Sequence, residues 1–223
     1  PAMMLQAGLL ARNAARLGLR AKPWVKTIFA PGSHATELLL ERAGLLSGLQ
    51  QLGFFTCGFG CMSCIGNSGP LMSQMHDVAG DIELASVLSG NRNFEGRISP
   101  DVSQNYLMAP ASVVAFAIAG TVDFDVEHDP LGHTTDGDPL FLRDIMPAQS
   151  ELDAMVEQFV TADLYASGSE AMYDGDPIWQ ALGVSASDTF AWDEQSTYVR
   201  RPPYFEGMTL EPPAVGDIED AVV

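Results

Sequence analysis

Phe54-Phe55-Thr56-Cys57-Gly58-Phe59-Gly60-Cys61-Met62-Ser63-Cys64-Ile65-Gly66-Asn67-Ser68-Gly69-Pro70 and Ala85-Ser86-Val87-Leu88-Ser89-Gly90-Asn91-Arg92-Asn93-Phe94-Glu95-Gly96-Arg97 are the stretches that decide the fold. Each opens on a short apolar run suited to a buried strand and passes into a glycine-containing loop. Open α/β sheets gather their ligand-binding groups in such loops, beyond the carboxyl ends of the strands. The first loop carries Cys61 and Cys64, a C-x2-C pair whose spacing lets two thiolates reach one metal centre. Gly58, Gly60, Gly66 and Gly69 around it let backbone approach a bulky inorganic group closely. The second loop carries Arg92 and Arg97, two planar guanidinium forks five residues apart. Recognition of a carboxylate-rich ligand calls for such bidentate cations, which Lys supplies poorly.

Outward from these loops the pattern is of helices alternating with strands. Residues 3–20 are rich in helix formers, with Leu5, Leu9, Ala15 and Leu19 near helical spacing, and Pro23 stops that helix. Residues 24–30 read as a short strand, and Ser33 as the N-cap of a helix running to Ala43 before Gly44. Ser99-Pro100-Asp101 reads as the start of a helix that Val113 to Ala119 completes before Gly120. This alternation predicts an α/β layer with a parallel sheet. Past Gly120 the pattern dissolves into an acidic stretch, one helix over residues 150–164, and a proline-bearing tail that reads as an extended arm or linker.

The net charge of −18 is uneven: residues 1–110 carry 7 acids and 8 bases, residues 111–223 carry 22 acids and 3 bases. The acidic half repels nucleic acid and anionic membrane, and its bland role is to keep a concentrated protein soluble. No run approaches the roughly 18 apolar residues of a membrane span. Three cysteines, all between positions 57 and 64, build no disulfide framework; their clustering points to metal ligation in a reducing compartment, hence a cytoplasmic protein. A start on Pro1, with no charged leader, is the expectation for a piece of a longer polypeptide rather than a secreted chain.

Taken together, Cys61-x2-Cys64-Ile65-Gly66 and Asn91-Arg92-Asn93-Phe94-x-Gly96-Arg97 resemble the aconitase superfamily, in the branch shared by aconitate hydratase A and the iron regulatory proteins. Further matching segments are Lys22-Pro23-Trp24-Val25-Lys26, Ala30-Pro31-Gly32-Ser33, Ala119-Gly120-Thr121-Val122-Asp123 and Ser196-Thr197-Tyr198-Val199-Arg200-Arg201-Pro202-Pro203, so the resemblance covers nearly the whole chain. It implies a three-layer α/β/α domain over residues 1–150, most of that family's third domain. Residues 151–223 would be a helical and extended acidic linker to a swivel domain. It implies a [4Fe-4S] cluster with Cys61 and Cys64 as two ligands, Asn91 beside the cluster sulfurs, and Arg92 and Arg97 clamping substrate carboxylates. The implied activity is a hydro-lyase, the reversible conversion of citrate to isocitrate through cis-aconitate, at an iron whose open position makes it a Lewis acid. The third cluster cysteine is expected just upstream of Pro1 and the catalytic serine beyond Val223. The segment alone is therefore expected to be inactive, with the other domains of the parent chain as its partners.

Rival readings differ in class. Cys57-x3-Cys61-x2-Cys64 has the spacing of radical S-adenosylmethionine enzymes, but Ser63 stands where they place an aromatic residue, and Cys57 is read as a small apolar residue ending a strand. A relative acting on 2-methylcitrate or 2-methylisocitrate is the closest enzymatic alternative. An iron regulatory protein would instead bind RNA hairpins once its cluster is lost, a reading the acidic half opposes. His34, in a first helical turn, and His76, His128 and His133 are read as capping or solvated rather than as ligands.

Overall fold

Leu5, Ala7, Gly8, Leu9, Leu10, Ala11 and Ala14 are all buried, so the first helix, α1 (Ala2–Arg16), is wrapped on most of its circumference. Its sequence holds no β-branched residue and no internal proline, which favours the helical state. The helix stops short of the expected residue 20 because Gly18 turns left-handed (φ 82°). Leu19 N then bonds Ala14 O at 3.0 Å and Gly18 N bonds Ala15 O at 3.1 Å, closing off the last carbonyls. The computed structural model that shows this describes residues 1–62, 69–78, 80–90, 98–134, 136–170, 173–183, 187–211, 214 and 216–217.

The chain divides into two compact units, Pro1–Asp174 and Gly175–Val223. In the first, α1 is the hub. It packs against α2 (His34–Arg42), α3 (Leu46–Gln51), α5 (Pro110–Ala119), α6 (Leu142–Ile145) and α7 (Gln149–Phe159), while α8 (Ala162–Ser169) packs on α2. Two glycines let α1 and α3 approach closely: a Cβ on Gly48 would lie 2.8 Å from Arg12 N, and one on Gly8 would lie 2.9 Å from Leu45 Cβ. Among the described residues no polar or charged residue as a whole is buried, so apolar contact dominates this core. Arg12 Nη2 leaves its edge to bond Glu151 Oε1 at 2.7 Å, and Arg42 Nη1 bonds Asp163 Oδ2 at 2.9 Å.

The strands bear out the mixed α/β class with parallel pairing. β1 (Ala85–Leu88) pairs in parallel with β2 (Gln104–Leu107), Ala85 opposite Gln104 and Leu88 opposite Leu107. β2 occupies part of the helix expected from Ser99. That helix starts instead at Pro110, whose missing N–H costs nothing in a first turn, and ends as expected on Gly120 (φ 79°). Gln104-Asn105-Tyr106-Leu107 carries no apolar run, so only its partner strand makes it a strand. The expected strand over residues 24–30 reduces to one parallel bridge, Phe29 opposite Thr56, which also accounts for the expected strand at Phe54 to Cys57. The single helix expected over residues 150–164 is two, broken at Val160 and restarted by Thr161, whose side chain accepts from Leu164 N. Short elements complete the unit: α4 (Ser73–His76) and the antiparallel pair β3 (Gly132–His133) and β4 (Pro139–Leu140).

The second unit has little regular structure: α9 (Pro177–Gln180), capped by Asp176 Oδ1 accepting from Ile178 N and Trp179 N, and a 3-10 turn at Pro203–Phe205. None of its described residues is buried, and Tyr198, Ile178, Tyr204 and Leu210 are among its exposed apolar side chains. Among the described residues no helix is long and apolar enough to cross a membrane.

Candidate metal centre

The segment 23–31 carries no regular structure, yet it is tied to the chain on both sides of the cysteine pair. On the approach, Thr27 Oγ1 donates to Gly53 O at 2.7 Å, and Phe29 O accepts from Cys57 N at 3.0 Å and from Cys57 Sγ at 3.2 Å. Gly60, left-handed at φ 76°, donates its N–H to Pro31 O at 2.8 Å. Phe59 meets the His34 ring edge-on at 5.8 Å between centroids. On the far side, Lys26 Nζ donates to Pro70 O at 2.6 Å and Gln74 Nε2 donates to Pro23 O at 2.8 Å. Trp24 Nε1, donating to Gly120 O at 2.8 Å, fastens the same segment to the end of α5.

Cys61 stands at the tip of this arrangement, exposed, directly after the left-handed Gly60. Its sulfur has no partner among the described residues. Cys57 is also exposed, contrary to the expectation of a buried apolar residue; its thiol is turned to Phe29 O beside an open depression of about 420 Å³ lined in part by Lys26, Phe55 and Met62. Just before Cys57, Thr56 Oγ1 is buried with no hydrogen-bond partner among the described residues. A free exposed thiol on a glycine-turned loop suits a thiolate ligand to iron, so the described part of the loop fits a cluster. Among the described residues no group of three or more His, Cys, Asp and Glu side chains could hold a metal by itself.

Cys64, Asn91, Arg92 and Arg97 lie outside the described residues. In the order of the chain, the Asn91 to Arg97 signature stands between β1, which ends at Leu88, and β2, which begins at Gln104. At the amino ends of the two parallel strands, Glu83 and Ser103 join the strand feet, Ser103 Oγ donating to Glu83 Oε1 at 2.9 Å. Hydrogen bonds from the Gln104 side chain and then Ser103 hold the Glu83 carboxyl below the usual carboxylate range. The histidines behave as expected. His34 opens α2 with Nδ1 3.5 Å from Glu37 Oε2, His76 ends α4, and His128 and His133 are exposed. Lys26, Thr27 and Gln74 were not legible as site residues; the signal available was a Lys-x3-Lys-Thr run beside a proline.

A model of the Aconitase family (aconitate hydratase) matches residues 1–120, and the chain belongs to that family. Over 225 residues it is 51% identical to "Aconitate hydratase A" of Corynebacterium efficiens, covering 100% of this chain and 24% of that protein. It is 48% identical to "Aconitate hydratase A" of Streptomyces viridochromogenes, again covering 100% of this chain and 24% of the relative. The same organism's "Phosphinomethylmalate isomerase" is also 48% identical, covering 100% of this chain and 25% of the relative. The chain thus spans about a quarter of the length of the curated relatives it matches.

Proposed function

We infer that a full-length protein carrying this segment is an aconitate hydratase, a hydro-lyase that interconverts citrate and isocitrate through cis-aconitate. The observation that carries this reading is identity of 51% to an aconitate hydratase A over the entire segment. In it, residues 1–150 are most of a cluster-binding third domain and residues 151–223 lead the chain on towards a swivel domain. Cys61 and Cys64 are two thiolate ligands of a [4Fe-4S] cluster, and Asn91 hydrogen-bonds beside its sulfurs. When bound, the cluster supplies a Lewis-acidic iron for a substrate carboxylate and hydroxyl. Arg92 and Arg97 bind and orient the carboxylates, each through two parallel N–H donors. The loop backbone, turned at Gly60 and Gly69 and tied to residues 23–31, holds the thiol of Cys61 outward. The third thiolate and the proton-abstracting serine come from other parts of the full-length chain.

A second reading rests on the Streptomyces pair: two relatives with different printed activities are equally identical to this segment, so the segment alone does not select the substrate. A sister hydro-lyase on another multiply anionic hydroxy acid, 2-methylcitrate among them, is that alternative. RNA-hairpin binding belongs to the iron regulatory reading alone, and 22 acids against 3 bases in residues 111–223 count against it.

The deciding experiment purifies the full-length protein anaerobically and follows cis-aconitate absorbance from citrate and isocitrate beside 2-methylcitrate. Turnover of citrate with cluster present is the expected result. Turnover of 2-methylcitrate alone selects the sister reading, and a protein without iron or turnover overturns both. Arg97→Lys is expected to raise KM and lower kcat with iron content unchanged; unaltered kinetics would remove Arg97 from the substrate clamp.

A further inference from the structure

We propose that the groove between α1 and α3 is a binding site for a phosphate group, with Arg16 as its principal cation. Two helix faces build it. Arg12 and Arg16 stand four residues apart on α1, and Ser47 and Gln51 four apart on α3; residues at that spacing share one face of a helix. Ala15, Gly48 and Gly44 complete the lining of a groove of about 240 Å³. Gly48 brings the two walls together. A Cβ there would lie 2.8 Å from Arg12 N and 2.9 Å from Arg12 Cα, so α3 rests its backbone on α1 at this point. Gly44, left-handed at φ 67°, turns the chain from α2 towards α3, and the space beside it is open.

The fold leaves most of the groove's polar groups unused. Arg12 donates through Nη2 to Glu151 Oε1 at 2.7 Å and to Asn13 Oδ1 at 3.0 Å, so Glu151 offsets its charge. Arg16, Ser47 and Gln51 are exposed, and their side chains make no hydrogen bond or ion pair among the described residues. No residue lining the groove is acidic, so Arg16 gives it uncompensated positive charge on a chain whose net charge is −18. An anion is drawn here by that charge and held by donors, guanidinium forks on one wall and a hydroxyl and an amide on the other. Donors on two walls suit a tetrahedral phosphate, whose oxygens point several ways. A planar carboxylate presents both its oxygens on one side and reaches one wall only. The phosphate is either a free ion or the head of a small phosphate monoester, which present the same chemistry to the groove.

The test is calorimetric titration of the full-length protein at fixed ionic strength, with citrate present to occupy any carboxylate site at Arg92 and Arg97. Inorganic phosphate, an alkyl phosphate monoester and acetate are compared. Phosphate or its monoester is expected to bind at one site per chain, and acetate is not. Tighter binding of the monoester selects a metabolite, and equal binding selects the phosphate group alone. Arg16→Gln should weaken binding about 10-fold, with Arg16→Lys in between because an ammonium lacks the fork. The double variant Ser47→Ala with Gln51→Ala keeps every charge and should weaken it several-fold. Acetate binding as tightly as phosphate overturns the proposal, as does an isotherm that Arg16→Gln leaves unchanged. Full affinity in the double variant would overturn the two-walled site. Since each variant is read against wild type, these outcomes do not depend on the hydro-lyase reading.

Discussion

The helical core around α1 and the loop region from residue 53 to residue 76 sit in one unit and are built by different forces. In the core, Leu5, Leu9, Leu10, Leu39, Leu40 and Ile118 are almost fully buried, and close packing of apolar side chains does the work. In the loop region, Phe55, Cys57, Phe59 and Cys61 are exposed, and the backbone is held by hydrogen bonds to residues 23–31. The scaffold therefore has a large reserve of contacts, and the described loop residues rest on a few polar ties. Changes in the core should cost stability first; changes in the loop should cost ligand geometry while the fold survives.

The sharpest way to separate the two regions is Cys61→Ser in the full-length protein. Cluster retention, read as iron and sulfide per chain, should be abolished with no loss of secondary structure by circular dichroism. Normal iron content in that variant would break the ligand assignment. Leu9→Ala should do the reverse, lowering unfolding free energy by about 2–5 kcal/mol in denaturant titration, with iron per folded chain unchanged. A cost below that range would mean the core is less tightly packed than its burial indicates.

Gly48→Ala tests the same contrast from the side of space rather than of lost contact. A Cβ at 2.8 Å from Arg12 N meets backbone, which cannot swing away, so α3 must shift off α1. The expected loss is about 1–3 kcal/mol by the same titration, and a neutral result would refute the close approach. The smallest effect lies in the acidic loop. Asp125 accepts from Glu127 N at 2.9 Å and meets His128 Nδ1 at 3.0 Å; the Glu127 amide first, and His128 second, hold its carboxyl below the usual range. Because the folded value is depressed, its contribution is complete above the ordinary carboxylate pKa and is lost as pH falls through the folded value. Comparing wild type with Asp125→Asn, the small gap in melting temperature seen at neutral pH should close below about pH 4. A gap that persists in acid would mean that the charge is not its source.

How far the sequence reached differs between particular elements. α1 was legible because Leu and Ala recur at helical spacing, and the end of α5 because only glycine takes the left-handed turn at position 120 without strain. β2 was not, since Gln104-Asn105-Tyr106-Leu107 becomes a strand only through pairing with β1. The break at Val160 was hidden for a related reason: the two helices it separates pack on different partners, α7 on α1 and α8 on α2. At the candidate site, Cys61 and the glycines around it could be picked out by spacing alone, while Lys26, Thr27 and Gln74 could not.

By itself, then, the sequence determined the family of this chain and the spacing of its candidate site groups. Thiols three residues apart, guanidinium groups five apart and the glycines between them are local facts that need no fold to be read. The tertiary structure alone decided which distant residues lie against the cysteine-bearing segment. The tie from Lys26 to Pro70 crosses 44 residues and the tie from Gln74 to Pro23 crosses 51, and the partners are backbone carbonyls, which every residue has. No side-chain pattern marks one carbonyl over another; only folding brings the right one within reach.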